Sequence, residues 1–128
     1  MNRMYNPSTI APPGNFNHGI EVPAGSRYCY TAGQVGKSAD GTVPDDFTKQ
    51  VENCYRAIGE ILAGSGMDFK DLVKVTVFVT KHENVAKWRL IRGRLLGDVK
   101  PGSTMLVVAS LSEPEYLVEI EGVAAKKD

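Results

Sequence analysis

Glu119 and Glu121 in "LVEIEGV" are two carboxylates at a spacing that an extended strand turns into one shared face. Leu117 and Val123 would lie with them. Tyr116, Val118 and Ile120 would take the opposite face, an apolar set suited to packing against helices. If the glutamate face meets a second subunit, a carboxylate there is partly desolvated, and its pKa rises toward the range useful for proton transfer. A solvated edge strand is the competing reading, and composition alone does not separate the two.

A second candidate is "VKPGSTM", residues 99–105, where a Pro-Gly turn delivers the hydroxyls of Ser103 and Thr104 to the mouth of an apolar run. The same pattern also describes an ordinary turn. In "TAGQVG", Gly33 reads either as backbone left open to a ligand or as a bulge at a strand end. Its spacing does not fit a phosphate-cradling loop, which would open a helix. His18, beside Asn15, Phe16 and Asn17, can wall a site, whereas His82 in "TKHEN" reads as surface. Two histidines so far apart, without carboxylates at ligand spacing, argue against catalytic zinc. "KWRLIRGR" places Arg89 and Arg92 on neighbouring positions of one helical face. That face is either solvated or an anion spot for a carboxylate ligand, with RNA contact more remote.

These residues need a scaffold, and the pattern predicts β-β-α-β-α-β-β. Residues 1–15 read as a loop-like lead-in, rich in Pro, Asn, Ser and Gly. "HGIEV" and "RYCYTAGQV" are strands joined by the hairpin-length "PAGS". Apolar residues at spacings of three and four predict a helix from about Asp45 to Ala63, with Asp45 and Asp46 at the positive end of its dipole and Gly64 and Gly66 as its stop. "LVKVTVFVT" alternates Val73, Val75, Val77 and Val79 onto one face. A second helix is predicted over Asn84 to Leu96, then strands at "STMLVVASL" and "YLVEIEGVA". In "TMLVVASL" both alternating sets are apolar, the mark of a strand buried on both faces. Two helices cover one face of a sheet, so the other calls for a partner, most simply a second copy of the chain.

The totals set limits. The 128 residues, 42% apolar and 23% charged, make one domain, residues 1–128. Fifteen basic and fifteen acidic side chains cancel, which argues against nucleic acid as a partner. No apolar run approaches the roughly 18 residues a membrane span needs, and the N-terminus lacks the apolar block of a signal peptide. Cys29 and Cys54 fit neither a disulfide framework nor a metal site. The expected location is cytoplasmic.

Taken together, "YTAGQVG", "ILAGSGMDFKDLVKVTVFVT", "KPGST" and "LVEIEGVA" resemble, in the same order, the Rid (reactive intermediate deaminase) family, also called YjgF or L-PSP endoribonuclease. The resemblance runs from about Asn15 to Ala124. It implies an α+β, chorismate-mutase-like fold: a mixed sheet with two helices on one face, and a homotrimer closing a central barrel with three inter-subunit clefts that take a small-molecule ligand. It implies cofactor-free hydrolysis of enamines and imines, such as 2-aminoacrylate, to a keto acid and ammonia. In the family an arginine in "P-A-R-S" grips the substrate carboxylate, and a C-terminal glutamate with backbone carbonyls positions the attacking water.

Carried over, Glu119 falls on the family glutamate and Gly33 on the glycine of "SGQ", with Ala32 in place of its serine. Phe16 stands where a tyrosine is frequent, and Met105 where cysteine or threonine is. Thr104 follows the arginine position, which is Ser103. A bidentate guanidinium–carboxylate contact contributes about 1.5–3 kcal/mol. A serine hydroxyl brings no charge, so its loss costs a carboxylate-bearing imine about tenfold or more. The resemblance therefore implies a hydrolase or deaminase of a small imine, enamine or related metabolite other than 2-aminoacrylate. Arg89, at a position where asparagine is frequent near the cleft, is one relocated cation to consider. The alternative is a non-catalytic trimer that binds a metabolite or regulates; RNA cleavage rests on the old family label.

Overall fold

The computed structural model describes residues 1–128: β1 (Arg3–Tyr5), β2 (Gly19–Glu21), β3 (Arg27–Tyr30), β4 (Gln34–Val35), α1 (Phe47–Gly64), a 3-10 turn (Phe69–Asp71), β5 (Leu72–Val79), α2 (Asn84–Leu96), β6 (Gly102–Val107) and β7 (Val118–Lys126). The two longest strands, β5 and β7, sit at the centre of a mixed sheet ordered β3-β7-β5-β6, with β4 also paired to β7. β5 and β6 are parallel, and α2 is the crossover that a parallel pair requires. All other pairs are antiparallel.

One face of the sheet is the core. Val75, Val77 and Val79 of β5 and Val118, Ile120 and Ala124 of β7 pack with Val51, Cys54, Ile58 and Leu62 of α1 and Trp88 and Ile91 of α2. α1 starts where Asp46 caps it, its carboxylate accepting from the Lys49 amide at 2.9 Å. It ends at Ser65, after which Gly66 turns the chain at φ 70°. The opposite face has no cover within the chain, and Thr76, Phe78, Leu106, Glu119 and Glu121 lie along it.

The α+β fold with two helices on one face of a mixed sheet is as expected, and several details differ. The lead-in is not all loop: β1 pairs with β2, and the predicted β2–β3 hairpin does not form. "RYCYTAGQV" is two strands rather than one, interrupted at residues 31–33. A register shift between Leu72 and Lys74 brings Leu72 into the core and turns Val73 off it. β6 ends at Val107, and as an edge strand it leaves Leu106 and Val107 42% and 46% exposed. The strand predicted from Tyr116 begins at Val118 and runs on to Lys126.

Candidate functional site

β4 pairs with β7 so that Val35 lies opposite Glu119 and Gln34 opposite Ile120. The Glu119 side chain then crosses Gly33, and a Cβ at position 33 would overlap its carboxylate. Only glycine gives Glu119 that room. The half-buried Glu119 and the exposed Glu121 do share the open face, with Val118 and Ile120 buried behind them. Ala32, next to Gly33, is exposed, and its carbonyl accepts from Gln34 Nε2 at 3.2 Å.

The position of Glu119 is held from the helix side by Gln50, which the apolar-stripe reading of α1 passed over. Gln50 is fully buried. Its Nε2 donates to the carbonyls of Pro44 (2.8 Å) and Glu115 (3.0 Å), and its Oε1 accepts from the Leu117 amide (2.9 Å). Every polar atom of the amide is used, and the phase of β7 is fixed two residues ahead of Glu119. Gly36 leaves the space that Gln50 fills. The signal was present: a glutamine three residues after Phe47 and four before Cys54 sits inside the apolar stripe. Cys54 donates its thiol to the Gln34 carbonyl at 3.2 Å, tying β4 to the same helix. Burial first, and Glu119 second, push that thiol up to about 12, so it stays protonated and unreactive.

The other candidates gather elsewhere. Phe16, Asn17, His18, Lys74, Ser103 and Thr104 line a cleft of about 470 Å³ at the start of β6. The lead-in is seated there by Asn17, which donates from Nδ2 to the Lys100 carbonyl (2.6 Å) and from its amide to that of Pro101 (3.3 Å). Phe16 meets His18 edge-on, ring centroids 5.3 Å apart. His18 Nε2 lies 2.7 Å from the Ala11 carbonyl, which can only accept, so that nitrogen carries the proton. Lys74 Nζ donates to Thr104 Oγ1 at 2.6 Å.

Within one chain these residues form two separate groups. Ser103 pairs with Val75 and Glu119 with Phe78, on opposite flanks of β5. Three residues along a strand and two strand spacings across put their backbones about 10 Å apart in each direction. Thr104 pairs with Thr76 on the open face, while Ser103 and Met105 pair with core-facing Val75 and Val77. Met105 packs half-buried against the core rather than into the cleft. Arg89 is exposed on α2, in the helix layer, outside both groups. Arg92 departs from the solvated reading of its helix face: it is 3% exposed and bonds the Val99 carbonyl, anchoring the loop into β6. Burial lowers its pKa from the usual guanidinium value. No three His, Cys, Asp or Glu side chains come together as metal ligands, and no helix is long and apolar enough to cross a membrane.

With this geometry in hand, the likeness to known proteins is specific. The family model described as Endoribonuclease L-PSP matches residues 7–126. A RutC family protein of Pyrococcus horikoshii is 29% identical over 122 residues, spanning 91% of this chain and 90% of its own. The 2-iminobutanoate/2-iminopropanoate deaminase of Mus musculus is 28% identical over 122 residues, spanning 94% and 85%. The crystal structure of a Rid-family protein of unknown function from Yersinia pestis has 29% identity and a TM-score of 0.85, with 98% of each chain covered.

Proposed function

The chain belongs to the endoribonuclease L-PSP family, which takes in relatives under the RutC and Rid names, and from that premise we propose that it is a cofactor-independent hydrolase of a small imine or enamine, acting as a homotrimer. The observation that carries this reading is the Glu119 carboxylate laid across Gly33 on the uncovered face of the sheet. A carboxylate beside open backbone can hold a water by one hydrogen bond and take its proton as it reacts. The water oxygen forms a bond to the C=N carbon, the π electrons move to nitrogen, and nitrogen takes up a proton. The carbinolamine then loses its C–N bond. Nitrogen departs with a further proton as ammonia, and the hydroxyl gives up its own as the C=O forms. Imine and water become carbonyl and ammonia, with no electron acceptor required.

The separation of the two groups supports the assembly. A second copy meeting the open face would set Glu119 and Gly33 of one subunit against the Ser103 cleft of the next. Tyr30, 73% exposed, and Leu106, 42% exposed, would gain cover in the same step. Ser103, uncharged where deaminases of the family carry arginine, favours a substrate other than 2-aminoacrylate. It also keeps a second reading in view, a trimer that binds a metabolite in the same clefts without turning it over. RNA cleavage has little support, because fifteen basic and fifteen acidic side chains leave no excess for a phosphate backbone.

Ammonia release from freshly generated 2-aminoacrylate and from bulkier imines tests the proposal, with Glu119→Gln as its control. Turnover that falls about a hundredfold in Glu119→Gln supports the water-positioning role. Turnover untouched by that change removes it. Ligand-dependent thermal shifts with no product formed favour the binding reading.

A further inference from the structure

The β1–β2 ribbon has two unlike faces. Residues opposite each other across the pair share a face, so Arg3 stands beside Glu21 and Met4 beside Ile20. Arg3 and Glu21 form an ion pair at 3.1 Å, and the Arg3 guanidinium lies 4.8 Å from the centre of the Tyr5 ring. That face satisfies itself. The other is apolar: Met4 and Ile20 line a cavity of about 470 Å³ together with the buried Leu72 and Ala125, at the start of β5 and near the end of β7. Met4 is still 58% exposed there. The volume is in the lower half of the range for pockets that enclose small molecules, about 300–1,000 Å³. Only Ile20 is shared with the Ser103 cleft.

Three ammonium groups border this cavity, those of Lys70, Lys126 and Lys127, against one carboxylate, Asp71. The acids nearby are already engaged. Asp71 Oδ2 accepts from the Asp68 amide at 2.9 Å, and Arg27 takes both oxygens of Asp128, at 2.7 and 3.0 Å. Lys126 Nζ donates to a neutral acceptor, the Gly66 carbonyl at 3.1 Å, and its remaining N–H donors have no partner within the chain. Lys127 enters no ion pair, and Lys70 has only Asp68, at 3.5 Å. An apolar wall edged by uncompensated positive charge is complementary to a molecule with a hydrocarbon body and an anionic head.

We propose that the cavity under the β1–β2 ribbon binds a medium-chain fatty carboxylate, its chain against Met4, Ile20 and Leu72 and its head among Lys70, Lys126 and Lys127. A body of about eight carbons suits a pocket of this size. Each methylene removed from water strengthens binding, and the lysines select the charged head over a neutral one. The site lies outside the Ser103 cleft and does not depend on the hydrolase reading.

Calorimetric titration of the assembled protein with octanoate, butanoate and octanol tests the site. Affinity is expected to rise about fourfold for each methylene between butanoate and octanoate. Octanol is expected to bind about tenfold more weakly than octanoate at low ionic strength, a gap that narrows as salt rises. Met4→Glu sets a charge in the apolar wall and abolishes octanoate binding. Lys126→Gln combined with Lys127→Gln removes the preference for octanoate while octanol still binds, which also reports an intact cavity. A methyl spectrum gives the location: the Met4 resonance, identified by its loss in Met4→Leu, moves as octanoate is added. No octanoate binding at about 1 mM, equal affinity for octanol, or binding that survives Met4→Glu or leaves the Met4 methyl unmoved overturns the proposal.

Discussion

The Glu119 carboxylate occupies the volume that a side chain at position 33 would need, so Gly33 and Glu119 form a single feature shared by β4 and β7. The absence of a side chain on one strand is what admits the acid of the other.

Gly33→Ala therefore acts as a remote edit of Glu119. The new methyl collides with the carboxylate, which must swing away. Imine turnover falls about a hundredfold, while Tm moves little because the change lies beside a flexible side chain at the end of a two-residue strand. Steady-state kinetics and a melting curve on the same sample decide it. A fully active Gly33→Ala protein would show that the carboxylate position does not matter.

Gln50→Leu removes one buried side chain and strands three backbone groups, the carbonyls of Pro44 and Glu115 and the amide of Leu117. Each unsatisfied buried group costs about 1–3 kcal/mol, so the loss in urea unfolding is about 3 kcal/mol or more. A loss under about 1 kcal/mol would mean the loop before β7 finds other partners.

Alkaline pH weakens the fold through α1. The Cys54 thiol is raised by burial from 9.0 to about 12, and the Tyr55 hydroxyl is raised from 10.0 by the same cause. Unfolding lets both groups release their protons at lower pH. The stability they confer is whole below about pH 9 and drains away as pH climbs toward 12. Denaturant titrations across that window follow the decline. In the folded protein iodoacetamide modifies Cys29 ahead of Cys54; equal rates would contradict the burial argument.

Leu106→Arg introduces a charge on the uncovered sheet face without disturbing the core, since Leu106 is 42% exposed in a single chain. Sedimentation is expected to show monomers in place of trimers, with loss of turnover. A variant that sediments as the wild type does would place the subunit contact elsewhere.

The sequence was most legible where one period ruled a long segment. α1 and β5 announce themselves because each buries a regular set, from Phe47 to Leu62 and from Val75 to Val79. Pairing was less legible, because it depends on which strand wins a neighbour. β2 takes β1, a partner hidden in a segment of turn-forming residues, and β3 takes the far end of β7. The bulge at Leu72 was out of reach, as was the burial of Arg92, whose partner is a backbone carbonyl with no side-chain signature. Glu119, Gly33 and Ser103 could be named from their motifs. Their separation on opposite flanks of β5 could not, for it follows from sheet order.

That division has a genetic consequence. If each working cleft draws Glu119 from one subunit and the Ser103 pocket from its neighbour, a chain lacking one half and a chain lacking the other are each inactive alone. Unfolded together and refolded, they assemble mixed rings in which some clefts join two undamaged halves. Two dead alleles would then complement each other within a single protein.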